Sequence, residues 1–389
     1  MGTVREQLRP EGPFDTQAEI SSDFVPRPAR ADIRFGLAAG SDSQRRRSVV
    51  VGVLLLVIIL LAGLAWAKWV PYTSRAQTLV GTRAWSGGAV FSAAGVPGSS
   101  PSFGGALAFT GSYLAAVWPA ALVGITVGAA LETLVPRHWL VRLLSRRTRW
   151  GQGVAGGLLS LPTMMCTCCT APVASSLRRR GVPLGASVAY WLGNPLLNPA
   201  VLLFIALTLP WRFVVVRAGV GAAVVLIAAM LAARWARGAT ERPSVVVVDD
   251  DPASIPQLLR RFAVTLARYV AIIAPEYVLL VFLTGLLSGW LSDWAGLGDA
   301  AGPLALLVVG VVGAVLVIPT GGEIPVVVGL VVAGASMGVA GVLLITLPAL
   351  SLPSVIMVAR SFGWRALLAT GVVVIAGGVT AGGLLLALG

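Results

Sequence analysis

Apolar runs as long as a bilayer is thick recur along this chain, and they constrain its fold more than any other feature. Five or more such runs occur, and each has about the 20 residues that a helix needs to cross the hydrocarbon core. Only 12% of the 389 residues are charged, whereas soluble domains carry about 25%. We therefore predict an all-α integral membrane protein whose main partner is the lipid bilayer.

The basic residues indicate how the chain is oriented. The formal net charge is +13, and Lys68 is the only lysine, so arginine supplies nearly all of it. A basic chain can bind nucleic acid, but these arginines cluster between apolar runs, as expected for cytoplasmic loops. We therefore predict no nucleic-acid partner. The basic flank Arg45–Arg47, ahead of the first run, predicts a plasma-membrane protein whose N-terminus is cytoplasmic.

The composition divides the chain into six parts. Residues 1–44 are polar and have no apolar period, which predicts a disordered cytoplasmic tail. The other parts are an N-terminal transmembrane span at 45–70, an external loop at 71–104, a first transmembrane repeat at 105–235, a cytoplasmic linker at 236–261 and a second transmembrane repeat at 262–389.

The two repeats share a spacing of prolines. Pro172 and Pro195 are 23 residues apart, and so are Pro325 and Pro348. We expect three full crossings and one hairpin in each half, and an odd number of crossings inverts the second copy. The predicted fold is thus a polytopic protein with an inverted-topology repeat, two broken-helix hairpins and one extra N-terminal span, as in many secondary transporters. Alternatively, these residues only help membrane helices to pack.

Two segments are expected to enter the membrane and return. Residues 151–177 are long enough for one crossing, but Arg178–Arg180 follow them, and a hairpin keeps both basic flanks in the cytoplasm. Residues 303–333 resemble a broken hairpin around the sequence IPTGGEIP, and a full crossing is the alternative for both segments. Non-helical backbone at membrane depth lies within protein or beside a cavity, so these breaks indicate a transport site. The predicted breaks are Pro162, Pro172, Pro195, Pro199, Pro319, Pro325, Pro348 and Pro353.

All three cysteines of the chain lie within four residues, in the sequence Cys166-Thr167-Cys168-Cys169. Thiolate sulfur suits soft ions and trivalent arsenic or antimony. We predict a substrate-binding site for a metalloid at Cys166 and Cys168, with Cys169 as a further ligand, provided that the backbone between Cys166 and Cys168 is non-helical. Alternatively, the thiols are apolar filler. The chain has one histidine and no paired CxxC motifs, so we predict no resident metal ion and no cofactor.

Polar side chains near the breaks are further candidates. A carboxylate at membrane depth usually faces a cavity or a partner, which makes Glu323 a candidate proton-coupling residue and Glu276 a weaker one. Glu132 is expected to pair with an arginine of the neighbouring basic loop. Four side chains beside the breaks could bind substrate or satisfy freed backbone groups: Asn194, Asn198, Ser351 and Ser354.

At these residues the chain resembles the predicted-permease family that includes the organoarsenical exporter ArsP. The resemblance covers about residues 105–389, with Cys169 where the family commonly has glycine. It implies a permease, and members related to the exporter are implied to move trivalent organoarsenicals out of the cell. The matching residues are Pro162, Cys166-Thr167-Cys168, Pro172, Arg180-Gly181, Asn194-Pro195 and Asn198-Pro199.

These observations favour a secondary transporter that is not an enzyme. The expected activity is export of a thiol-reactive small solute, such as a trivalent organoarsenical or a related metalloid species, with possible coupling to protons. No GxxxxGK[ST] motif is present, so ATP hydrolysis by this chain is not expected. One alternative is a permease or channel for another small solute or ion, in which the cysteines are structural. Another is a membrane thiol oxidoreductase.

Overall fold

A computed structural model describes residues 38–83, 101–236, 254–296, 302–332 and 334–388. Every regular element in these ranges is helical. The prediction of an all-α protein is therefore confirmed for the part of the chain that the structure describes. The predicted tail lies mostly outside that part, as does most of the predicted linker.

The first described range begins with three consecutive helical segments, which we call the N-terminal helical unit. They are α1 (Ala38–Leu64), a π-helical turn (Ala65–Trp69) and α2 (Val70–Thr82). The helix therefore continues through residues 71–82, which were expected to begin an external loop. Pro71 does not interrupt it and lies directly after the π-helical turn, at the start of α2.

Thirteen further helices follow in two runs, which are separated by residues 237–253. The first run comprises α3 (Phe103–Thr133), α4 (Arg137–Leu144), α5 (Arg149–Ser160), α6 (Thr167–Arg179), α7 (Leu184–Leu196), α8 (Pro199–Thr208) and α9 (Trp211–Ala236). The second comprises α10 (Ile255–Gly296), α11 (Gly302–Val315), α12 (Glu323–Val332), α13 (Met337–Ala349), α14 (Leu352–Phe362) and α15 (Trp364–Leu388).

Within the described ranges, six helical stretches are long and apolar enough to cross a membrane. The pair α13 and α14, bent by 52°, is a seventh if the two helices form one span. The prediction of a polytopic membrane protein is thus confirmed. The six stretches are Arg47–Thr82, Phe103–Thr133, Leu184–Thr208, Trp211–Trp235, Ile255–Leu286 and Trp364–Leu388.

The prolines lie mostly where helices begin or end. Pro162 and Pro319 lie in two non-helical stretches, residues 161–166 and 316–322, which we call the first-half loop and the second-half loop. The prediction of a helix break at Pro172 was wrong, because Pro172 lies inside α6. The hydrogen bond from the amide of Thr170 to the carbonyl of Cys166 (3.1 Å) holds the turn before it. The remaining predicted breaks lie in the terminal turns of helices and mark their ends: Pro195, Pro199, Pro325, Pro348 and Pro353.

Similar packing recurs in the two runs. Helices α5, α7 and α9 pack on one another, and α11, α13 and α15 do the same. The two groups meet where α15 packs on α9, while α3 packs against both α6 and α10. The end of the first-half loop and most of α6 lie inside this assembly, since every residue from 165 to 177 is buried.

Candidate functional site

The three cysteines meet at the start of α6, and we call them the thiol trio. Cys166 is the N-cap of the helix and has extended backbone, whereas Cys168 and Cys169 lie in the first turn. The Sγ atom of Cys166 is 3.0 Å from that of Cys168 and 3.0 Å from that of Cys169. All three are buried free thiols whose sulfur atoms lie within 4.8 Å of one another. We expected non-helical backbone between Cys166 and Cys168, but Thr167 is helical. The extended backbone of Cys166 alone is enough to bring the sulfur atoms together.

Two tyrosine hydroxyls contact the trio from neighbouring helices. Tyr113 on α3 lies 3.5 Å from the sulfur of Cys168, and Tyr277 on α10 donates to the same sulfur over 3.1 Å. The Tyr277 hydroxyl also lies 3.3 Å from that of Tyr113. Both rings are buried. The two helices that pack on each other beside α6 thus supply hydrogen-bonding groups at one thiol.

The N-terminal helical unit reaches both loops. Trp69 donates its indole N–H to the carbonyl of Pro162 (3.0 Å), and the Tyr72 hydroxyl donates to the carbonyl of Met164 (3.4 Å). The Nζ atom of Lys68 is 3.2 Å from the Tyr72 hydroxyl and 3.4 Å from Oγ1 of Thr320 in the second-half loop.

The amide of Asn194 holds the first-half loop. Its oxygen accepts hydrogen bonds from the hydroxyl of Thr163 and from the amide of Met165 (3.2 Å), and its nitrogen donates to the carbonyl of Tyr190 (2.9 Å). These contacts fix the backbone just before the trio. Trp191, on the same helix, donates its indole N–H to the carbonyl of Thr167 (3.2 Å).

The other predicted polar residues cap helices. Asn198 is the N-cap of α8, where its side-chain oxygen accepts two backbone amides, and its side-chain nitrogen has no partner among the described residues. Ser351 and Ser354 form a capping box at the start of α14. The hydroxyl of Ser351 also lies 3.3 Å from that of Thr167, the residue between two cysteines of the trio. Of the two serines, Ser351 therefore has the more direct hydrogen-bond connection to the thiol trio.

Glu323 begins α12 and pairs with Arg217 of α9. Nη2 of Arg217 is 3.0 Å from Oε1 of Glu323, and the side chains are 0% and 1% exposed. Arg217 also donates to the carbonyls of Pro195 (2.8 Å), Leu196 (3.1 Å) and Leu344. The second carboxylate oxygen of Glu323 has no partner in the described ranges.

The remaining acidic candidates lie on α3 and α10. Glu132 pairs with Arg179 over 3.1 Å and accepts a hydrogen bond from the hydroxyl of Tyr269. Glu132 thus pairs with an arginine, but the prediction of a partner in the neighbouring basic loop was wrong, because Arg179 is the last residue of α6. Glu276 is half-buried on α10 and precedes Tyr277, and it forms no ion pair with any described residue.

Sequence reasoning missed four residues of this site: Lys68, Arg217, Tyr113 and Tyr277. Arg217 had a usable signal, because a charged residue within an apolar run indicates a functional or paired group. The charge of Lys68, at the far end of the first apolar run, did not predict its contacts. The tyrosines carried no local signal, because their role depends on the packing of α3 and α10 around α6.

Comparison with known proteins identifies the family. A family model described as a predicted permease matches residues 102–388. The chain is similar to UPF0718 protein YraQ of Escherichia coli (strain K12), with 37% identity over 327 residues, which cover 84% of this chain and 92% of the relative. It is also similar to UPF0718 protein YcgR of Bacillus subtilis (strain 168), with 32% identity over 111 residues, or 28% and 37% of the two chains. No solved structure matches. The resemblance seen in the motifs is confirmed, and this multi-pass membrane protein belongs to the predicted permease family.

Proposed function

We propose that the protein is a secondary transporter that exports a thiol-reactive small solute, such as a trivalent organoarsenical, and that the thiol trio binds this solute. The observation that carries the proposal is the convergence of three buried sulfur atoms within 4.8 Å. Soft donors of this kind match a soft, thiophilic centre. A transport role fits the membership in a permease family.

The chemistry of the trio needs no redox partner. A trivalent arsenical with two hydroxyl groups condenses with two thiols: two As–S bonds form and two As–O bonds break. Each hydroxyl group leaves as water with the proton of one thiol, so the oxidation state of arsenic is unchanged. The sulfur of Cys166 is equally close to those of Cys168 and Cys169. A bound solute could therefore exchange between two pairs of thiols, which would make binding reversible.

We also infer that the two runs of helices are inverted repeats. The matching packing of α5, α7 and α9 with that of α11, α13 and α15 supports this inference. So does the placement of one non-helical loop before α6 and another before α12. Broken segments that meet in the protein interior are where many secondary transporters bind their cargo. A tag placed after Arg180 tests the topology, since the hairpin predicts that the tag is accessible from the cytoplasm only.

Glu323 is the proposed proton-coupling residue. Its burial and the unpartnered oxygen support this role. Protonation of Glu323 would neutralise the partner of Arg217, and a buried cation that loses its partner favours rearrangement. Glu323→Gln is therefore expected to abolish concentrative transport while solute exchange continues. Unchanged pH dependence in this variant would exclude the role.

Uptake into everted membrane vesicles tests the proposed function. Vesicles that contain the wild-type protein should accumulate methylarsenite, whereas Cys166→Ser should abolish the accumulation and Cys168→Ser, which leaves one close pair of thiols, should lower it. Ser175→Ala is the matched control, because Ser175 is also buried on α6 but lies more than one turn beyond the trio. Transport that survives both cysteine substitutions would refute the thiol site and favour a permease or channel with structural cysteines.

A further inference from the structure

We infer that the N-terminal helical unit forms one wall of the cargo site and that Lys68 is its anion-binding residue. The inference rests on the proposed function and narrows its substrate class. The cargo would be a solute that combines a thiophilic centre with a negatively charged group. Lys68 lies in the N-terminal helical unit, outside residues 102–388, the part of the chain that the permease family model matches.

The charge of Lys68 is buried without a carboxylate partner in the described residues. Its side chain is only 8% exposed, and the ion pairs within 4.0 Å in the described ranges are two others, Arg179–Glu132 and Arg217–Glu323. A buried cation without an anionic partner is strongly destabilising. Charged groups at membrane depth accordingly tend to mark substrate or ion pathways. A negatively charged group of the cargo would supply the missing partner.

The hydrogen bonds of the ammonium group leave one N–H donor for that partner. An ammonium group has three N–H donors. Two of them point to neutral oxygens, the hydroxyls of Tyr72 and Thr320, at 3.2 and 3.4 Å. Neither hydroxyl neutralises the charge. The third donor has no partner among the hydrogen bonds of the described residues, so an incoming carboxylate or other anionic oxygen could accept from it.

The backbone at Lys68 departs from the α-helix, and the lysine side chain points inward there. It lies in the π-helical turn Ala65–Trp69, and single π-helical turns occur frequently at functional sites. Its neighbours Trp66 and Val70 are 51% and 63% exposed. A lysine near the end of a membrane helix usually extends its stem toward water, but here the side chain is directed into the protein, between the two loops.

The contacts of Lys68 connect its ammonium group to the loop that carries the thiol trio. The Tyr72 hydroxyl that it contacts donates to the carbonyl of Met164 in the first-half loop, two residues before Cys166. Its other contact, Thr320, belongs to the second-half loop. A solute bound through sulfur at the trio would therefore hold an attached anionic group within reach of Lys68.

Two matched arsenicals test the inference with the full chain in proteoliposomes. The probes are 4-carboxyphenylarsine oxide and its neutral methyl ester, which present the same thiophilic centre. Wild-type protein should transport the carboxylate with the higher kcat/KM. Lys68→Met should lower kcat/KM for the carboxylate about tenfold, the effect of losing one charge-assisted hydrogen bond. The methyl ester should change less than about twofold, the limit expected for a group that Lys68 does not contact.

Lys68→Arg should preserve the preference for the carboxylate probe, because it keeps the positive charge. Arg142→Met is the control for the loss of a distant cation, because Arg142 is exposed on α4. Equal losses of kcat/KM for both probes in Lys68→Met would mean that Lys68 acts on the thiols and does not bind an anionic group of the cargo. This result would overturn the inference. A wild-type protein that transports both probes without preference would also overturn it, and this comparison needs no variant to fold. If wild-type protein transports neither probe, the proposed function fails and the inference fails with it.

Discussion

Arg217 and Glu323 form an ion pair between the two runs of helices, with Nη2 and Oε1 3.0 Å apart and both side chains almost completely buried. The same guanidinium group also donates to the carbonyls of Pro195 and Leu196, where α7 ends, and to the carbonyl of Leu344 in α13. One side chain of α9 therefore joins α7, α12 and α13 at the places where the two halves meet.

Arg217→Met should destabilise the protein by about 3–5 kcal/mol, because it leaves a buried carboxylate without its partner. The thermal unfolding midpoint of the purified protein in detergent measures this effect. The double variant Arg217→Met/Glu323→Gln should recover part of the loss, since it removes both charges. Arg179→Met is the matched control, because its pair with Glu132 is 44% and 28% exposed and should contribute about 0–1 kcal/mol. Equal effects of the two arginine substitutions would contradict the buried-pair argument.

The three cysteines should contribute unequally to arsenical binding. The sulfur of Cys166 contacts both others at 3.0 Å, so Cys166→Ser removes both close pairs, whereas Cys168→Ser and Cys169→Ser each leave one. Cys166→Ser should therefore weaken the binding of phenylarsine oxide the most, by at least 1.4 kcal/mol or about tenfold. Titration of purified protein, followed by intact mass, measures the affinity and the number of thiol protons lost.

The Cys166→Ser variant should still fold. Cys166 is the N-cap of α6, and serine is among the preferred N-cap residues. Its thermal midpoint should therefore stay close to that of the wild-type protein, which separates loss of binding from loss of structure. Equal loss of affinity in all three variants would show that the solute needs three thiols at once.

Gly124 permits the close approach of α3 to α6. A Cβ atom at this position would overlap the carbonyl oxygen of Cys169, whereas a Cβ atom at Gly111 of the same helix would meet nothing within 4 Å. Gly124→Ala should destabilise the protein by about 1–3 kcal/mol, the usual cost of overpacking, and should speed alkylation of the thiols by maleimide. Gly111→Ala, the matched control, should leave both the thermal midpoint and the alkylation rate unchanged. Equal behaviour of the two variants would mean that α3 and α6 can separate without cost.

Local properties of the sequence predicted much of this fold. The length and apolarity of a run need no knowledge of the partner helices, so the membrane-spanning helices were predictable. The thiol trio was also predictable, because three cysteines within four residues cannot lie far apart. Pro172 shows the limit of local rules: a proline strongly disfavours a helix interior, but the packing around α6 maintains the helix through it.

The electrostatic surroundings of the site depend on contacts between distant segments. The partner of Arg217 lies 106 residues away in the chain, and Tyr277 lies 109 residues from Cys168. No periodicity or motif encodes such pairs. Asn194 illustrates the same point, because the amide expected to contact substrate holds the loop before the cysteines instead. Its proposed role in substrate binding therefore has to operate through that loop.

The contact between Lys68 and Thr320 has a consequence for the biogenesis of the protein. The two residues are 252 positions apart. Chains grow at about 5–20 residues per second, so the lysine is synthesised roughly 13–50 s before the threonine. During this interval the ammonium group needs water or lipid headgroups around it. The first helix to insert is therefore among the last to reach its final environment, and the site is completed only when the second half of the chain has entered the bilayer.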